Sequence, residues 1–153
     1  MPNAIPSAGR IGIAVARFNE AVTTRLLDGA RACLLERGIA DARVDVRWGA
    51  GAWELPLLVQ SFADDESYIA VCALGAVVRG ETPHFDYVAG EASRGLMRVQ
   101  LDAGLPVGFG LLTTDTMEQA LARAGGDAGN KGYDAMAAAL DAAAEIRKVN
   151  GGS

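Results

Sequence analysis

The chain contains a single histidine, His84, within Gly75-Ala76-Val77-Val78-Arg79-Gly80-Glu81-Thr82-Pro83-His84-Phe85-Asp86-Tyr87-Val88. The apolar run ahead of it ends in Arg79-Gly80, and Thr82-Pro83 then reads as a helix start. Thr is a good N-cap, and Pro suits the first helical position. The one side chain that ordinarily titrates near neutrality therefore falls in the first turn of a helix that follows a strand. Backbone N–H groups at such a turn attract anions. A phosphate cradle and a proton acceptor would therefore be neighbours. On position alone, His84 serves equally well as a surface or capping residue, so the other chemistry-bearing segments decide.

Phe18 stands where the chain should turn polar after a strand, either capping the core, the better reading for an isolated Phe, or, beside other strand-end residues, offering a stacking platform for a flat heteroaromatic ring. Trp53-Glu54 follows Gly49-Ala50-Gly51-Ala52. Glu54 either charges the first turn of a helix or offers a carboxylate to hydroxyl and N–H groups, with the N–H groups around Ala52 and Trp53 as further donors. Arg123 and Lys131 flank a glycine-rich loop, as solvated helix-end cations or as a two-cation clamp on phosphate. Other patterns fail. Gly126 to Gly132 lacks the Gly-Lys-Ser/Thr of a phosphate loop and follows no strand. Gly49-Ala50-Gly51 and Gly108-Phe109-Gly110 lack the third glycine of a dinucleotide fingerprint, and Ser93 lies mid-helix, away from any nucleophile elbow.

The elements that must carry these residues are legible from apolar spacing. Ile11–Ala16 has the length of a buried strand, and Glu20 to Arg37 has helical spacing with Gly38 as its C-cap. Arg43 to Trp48 alternates as a second strand. A helix is expected from Trp53 to Ala63, with Pro56 in its first turn, followed by a third strand from Tyr68 to Val78. A helix from His84 to about Leu101 and a fourth strand from Val107 to Leu112 come next. Asp115 to Glu118 has capping-box spacing before a short helix to Ala124. Gly125 to Asn130 reads as a loop, and an Ala-rich helix runs from Lys131 to Val149. This rhythm predicts an α/β protein, a three-layer α/β/α sandwich around a four-stranded parallel sheet. Met1 to Arg10, with Pro2 and Pro6, reads as an irregular arm ahead of one domain spanning 11–153. All the unusual segments fall at carboxyl ends of strands, where such sheets bind ligands.

Composition narrows the function. With 153 residues and 50% hydrophobic content, the chain carries more apolar side chains than a small soluble monomer needs, which points to a subunit interface. Net charge is -5, and the arginines are scattered without a basic stripe, against nucleic-acid binding. No apolar run is long enough to span a bilayer and no secretory signal opens the chain, so a cytoplasmic protein without membrane attachment is expected. Cys33 and Cys72 read as reduced core thiols. One His and two distant Cys cannot assemble a zinc site.

Five segments occur in order from about Ile11 onward: Ala16-Arg17-Phe18-Asn19-Glu20, Gly51 to Pro56, Gly75 to Val88, Gly110 to Thr114, and Arg123-Ala124-Gly125 through Gly129-Asn130-Lys131-Gly132. Together they resemble the lumazine synthase family. The resemblance implies flavodoxin-like topology and condensation of 5-amino-6-(D-ribitylamino)uracil with 3,4-dihydroxy-2-butanone 4-phosphate. The products are 6,7-dimethyl-8-ribityllumazine and phosphate, and no metal or organic cofactor is used. It implies Phe18 stacked on the pyrimidine, Ala52, Trp53 and Glu54 on the ring and ribityl chain, and Val77 and Val78 lining the pocket. Gly80, Glu81 and Thr82 would offer N–H groups to the phosphate, which Arg123 would pair; the Glu81 side chain must then point away. His84 would move protons with Lys131 in support, and Phe109, Arg123 and Lys131 would come from a neighbouring subunit. Family members form pentamers or sixty-subunit icosahedra, and the short Gly125–Asn130 segment resembles the icosahedral ones. Riboflavin synthase is the implied protein partner. A non-catalytic flavin or lumazine binder and a purely shell-forming homologue are the competing readings. A binder of unphosphorylated ligands would need neither His84 nor Arg123.

Overall fold

The computed structural model describes residues 9–151. Its element order is β1 (Arg10–Ala16), α1 (Glu20–Glu36), β2 (Val44–Gly49), α2 (Leu55–Ala63), β3 (Tyr68–Val78), α3 (His84–Ala103), β4 (Val107–Thr114), α4 (Met117–Ala122), β5 (Ala124–Gly126), β6 (Gly129–Asn130) and α5 (Lys131–Val149). The first four strands form one sheet in the order β2-β1-β3-β4, with all three pairings parallel. This is the flavodoxin-like arrangement, with β1 and β3 at the centre.

Strand alternation separates the two cores. Ile11, Ile13 and Val15 of β1 and Cys72 and Leu74 of β3 face one side, where they pack with Leu26 and Ala30 of α1 and Met136 and Leu140 of α5. Ala14 and Ala16 of β1 and Val71 and Ala73 of β3 face the other, against Leu55, Val59 and Phe62 of α2 and Leu96 and Val99 of α3. Three layers result because the central strands are apolar on both faces. Arg37, the C-cap of α1, and Asp141 of α5 pair at 2.8 Å on the outer surface. The glycines of β4 have a packing role: a Cβ on Gly108 would fall 2.3 Å from the Ala135 carbonyl oxygen of α5. That close approach explains Gly108-Phe109-Gly110 without a nucleotide. Cys33 and Cys72 are free and buried, and burial pushes both thiols up from their ordinary values.

Several expected boundaries are corrected. Arg10, the last residue of the expected arm, opens β1 and pairs with Tyr68; residues 1–8 of that arm lie outside the described residues. Ala52–Glu54 is a separate 3-10 turn, so α2 begins only at Leu55, where Pro56 fits the first turn. The capping box of α4 is Thr116 with Gln119, one residue later than Asp115 with Glu118. Gly125 to Asn130 is no simple loop, because β5 and β6 pair as an antiparallel hairpin.

One polar cluster ties the amino ends of three strands together. Arg10 donates to Asp45 Oδ2 through Nε at 2.9 Å and Nη2 at 2.6 Å, and Tyr68 Oη donates to the same oxygen at 2.7 Å. The Tyr68 hydroxyl and the Arg10 guanidinium hold the Asp45 carboxyl below the usual carboxylate range. A carboxyl whose folded value lies below its unfolded one stabilises the fold above the unfolded value, and the gain fades as pH falls through the folded one. Asp45→Asn is therefore expected to lower the thermal midpoint at neutral pH. The gap to wild type should narrow below about pH 4, the unperturbed Asp range. Melting curves across pH check this; a gap that stays constant into acid would contradict it.

Candidate active site

At the carboxyl end of the sheet, α1 leaves β1 for one face and α2 leaves β2 for the other. A crevice opens where they diverge, as it must at a point where strand order reverses. It encloses about 860 Å³ and is lined by Phe18, by Ala50–Glu54, by Ala76–Val78, and by Gly80, Thr82, His84, Phe85, Tyr87 and Val88.

Phe18 is held by the turn after β1. Arg17 N–H donates to Gly49 O at 2.8 Å and Phe18 N–H to Ala50 O at 3.0 Å. Asn19 takes the left-handed conformation with φ 62°, tolerable for Asn, and its Nδ2 donates to Ala76 O at 2.9 Å. The Phe18 ring is 70% exposed, so it does not cap the core. Trp53 is likewise 59% exposed, whereas Ala52 is buried. Glu54 Oε1 accepts the Gly51 N–H at 2.9 Å, so one carboxylate oxygen shapes its own loop and only the other is open to a ligand. Val77 and Val78 end β3 half-buried.

His84 is the first helical residue of α3 and is exposed into the crevice. The expected cap is displaced by one residue. Pro83 sits at the N-cap with no side-chain cap, while Thr82 Oγ1 accepts only a long bond from His84 N–H at 3.4 Å. Glu81 is exposed and not among the lining residues, so its charge adds no carboxylate to the crevice wall.

Phe109, Arg123 and Lys131 are elsewhere. They line a second cavity of about 540 Å³ with Leu111–Thr114, Ala128 and Asp134. Within one chain the expected site residues are thus brought together in two groups, not one. The second group is built as tightly as the first. Thr116 Oγ1 accepts from Gln119 N–H at 3.1 Å and Gln119 Oε1 accepts from Thr116 N–H at 3.2 Å, closing the cap of α4. Arg123 Nη1 donates to Gln119 O at 3.0 Å. Lys131 N–H donates to Arg123 O at 2.8 Å, so the hairpin sets the two cations side by side. Asn130 anchors that hairpin: Oδ1 accepts from Gly132 and Tyr133 N–H groups at 2.8 and 3.1 Å, and Nδ2 donates to Arg25 O of α1 at 3.0 Å. Only glycine fits opposite it, because a Cβ on Gly29 would fall 2.1 Å from Asn130 Oδ1.

Sequence reasoning missed the residues that hold others in place. Asn19, Asn130 and Arg79 carry geometry and are silent in a search for nucleophiles, ligands and clamps. Asn preference for N-caps and left-handed backbone was the available signal for two of them. Among the described residues, no group of three or more His, Cys, Asp or Glu is placed to hold a metal ion, and no helix is long and apolar enough to cross a membrane.

The sequence pattern of the 6,7-dimethyl-8-ribityllumazine synthase family matches residues 8–147. The chain belongs to that family. It is also 55% identical over 132 residues to a 6,7-dimethyl-8-ribityllumazine synthase from Gemmatimonas aurantiaca, covering 86% of this chain and 80% of that protein. The segments that carried the lumazine synthase resemblance all lie inside the matched span, and each supplies at least one residue to the walls of the two cavities.

Removing the Asn130 cap by Asn130→Ala is expected to cost about 1 kcal/mol, as N-cap losses do. Gly29→Ala should act in the same direction by displacing the Asn130 amide. Urea denaturation of both variants checks this, and wild-type midpoints for both would contradict the anchoring role.

Proposed function

We propose that the two cavities are halves of one active site, closed between neighbouring copies of the chain, and that this site makes 6,7-dimethyl-8-ribityllumazine. The family match and the named relative support the transferase activity and its place in riboflavin biosynthesis. The observation that carries the shared site is the partition of residues. Stacking rings, ring-edge donors and the proton carrier line one cavity, while both candidate phosphate cations line the other.

The chemistry asks little of the protein by way of nucleophiles. The amine of 5-amino-6-(D-ribitylamino)uracil attacks the ketone of 3,4-dihydroxy-2-butanone 4-phosphate and water is lost. Phosphate then leaves by elimination, for which His84 carries the proton and the Gly80–Thr82 backbone with Arg123 receives the anion. Lys131 supports from beside Arg123. Ring closure loses a second water. Phe18 and Trp53, both largely exposed in the isolated chain, stack on and bracket the pyrimidine, and Ala52, Glu54, Val77 and Val78 define its edge. Phe109 closes the pocket from the neighbouring copy. Holding two reactants in contact supplies much of the acceleration. A pure flavin binder would stack the same ring but leave His84 and the two cations without a task.

Exposed apolar side chains such as Leu57, Met97 and Leu101 fit an assembled, cytoplasmic enzyme. The tight β5–β6 hairpin favours a shell of sixty copies over a lone pentamer. Light scattering should then report roughly 950 kDa, sixty times the 15.8 kDa chain, rather than a particle roughly twelvefold smaller.

Mixed with both substrates, the protein is expected to form the fluorescent lumazine well above the uncatalysed rate. His84→Ala should slow turnover without abolishing it, and Arg123→Ala should raise KM for the phosphate substrate. Co-assembled His84→Ala and Arg123→Ala subunits should regain activity at roughly a quarter of their sites, because each intact half can meet an intact neighbour. No acceleration with wild type would overturn the activity, and no regain on mixing would overturn the shared site.

A further inference from the structure

Arg79 lines neither cavity, yet it touches the supports of both. It follows Val78 at the end of β3, and its own N–H extends the ladder to Thr114 O at 2.8 Å. The side chain then divides. Nε donates to Asp115 Oδ1 at 2.9 Å and Nη1 reaches Asp86 Oδ1 at 3.4 Å, while the guanidinium carbon lies 4.3 Å from the centre of the Phe85 ring. Phe85 and Asp86 come directly after His84 in α3. Asp115 leads the other way, since its N–H donates to Gln119 Oε1 at 2.9 Å and Gln119 O accepts from Arg123 Nη1 at 3.0 Å. A continuous set of contacts therefore runs from the His84 helix start, through one guanidinium, to Arg123.

These ion pairs are exposed, so stability is not their main yield. Their geometry is specific to arginine. A planar guanidinium can lie on a ring while its fork serves two carboxylates, which a lysine ammonium cannot do. Arg79 also offsets the charges of Asp86 and Asp115 next to the Gly80–Thr82 segment, where a phosphate would otherwise meet two carboxylates.

We infer that Arg79 is a positioning residue for two active sites at once, fixing the His84 face of its own crevice and the Arg123 face presented to the next copy. The inference rests on the shared-site reading. Loss of Arg79 disturbs both faces of a subunit, whereas loss of His84 or Arg123 disturbs one.

Co-assembly separates these cases. The control mixes His84→Ala with Arg123→Ala; if this pair regains no activity, the shared-site reading itself has failed. With the control positive, and assayed below the wild-type KM for the phosphate substrate, Arg79→Met mixed with either variant should regain less than the control pair, because every hybrid site keeps one disturbed face. Regain equal to the control with either partner would show that Arg79 serves one face only and overturn the inference. Alone, Arg79→Met should raise KM for the phosphate substrate on the order of tenfold, as lost alignment does, with KM for the uracil near wild type. Arg79→Lys should recover only part of this. A KM for the phosphate substrate left at the wild-type value would contradict the link from Arg79 to Arg123. If Arg79→Met does not assemble, Asp115→Asn decides: it should regain activity with His84→Ala and not with Arg123→Ala. The reverse pattern would overturn the link from Arg79 to Arg123.

Discussion

Parallel pairing of β1 with β3 at the centre of the sheet governs where everything else can go. Six consecutive residues of β1 also pair with β2, so the chain must pass from β2 across β1 to reach β3. The helices that make these connections leave for opposite faces, and no backbone fills the gap above the carboxyl ends of the central strands. The crevice with Phe18, Trp53 and His84 lies in that gap. Its existence follows from topology. Its chemistry follows from four short turns whose hydrogen bonds are made largely to one another.

Those turns divide the work between residues that face the crevice and residues that hold the backbone. Asn19 spends its amide on Ala76, Glu54 half its carboxylate on Gly51, and Asn130 its whole side chain on three backbone groups. Such contacts keep exposed aromatic and cationic side chains at fixed positions without burying them. The same economy explains why β4 alternates glycine with larger residues. Gly108 lets α5 lie close on the sheet, and the hairpin that precedes α5 can then present Arg123 and Lys131 beside Phe109.

Much of this was legible in the sequence because the signals are local. Tyr68–Val78 and Lys131–Val149 appear with the expected bounds, since a long apolar run and an Ala-rich repeat leave little competition. The two-faced apolar pattern of β1 and β3 implied helices on both sides. Boundaries set by single hydrogen bonds were not legible. The 3-10 turn at Ala52–Glu54 depends on Glu54 reaching back to Gly51, and the cap of α4 depends on Gln119 rather than Glu118. The β5–β6 hairpin hides among glycines that carry no alternation. Residue types at the site were readable one by one, and the family resemblance already assigned Phe109, Arg123 and Lys131 to a neighbouring subunit; the cavity that each group lines was not readable, because it depends on which side of β4 each turn falls.

The central claim is that a phosphate binds between two copies of the chain. Electron cryomicroscopy of the assembled protein with inorganic phosphate addresses it directly. The account predicts phosphate density held by the Gly80–Thr82 backbone of one copy and by Arg123 of its neighbour, with His84 of the first copy alongside. Phosphate bound by Arg123 and His84 of the same copy, or neighbours packed with their two cavities facing solvent, would contradict it.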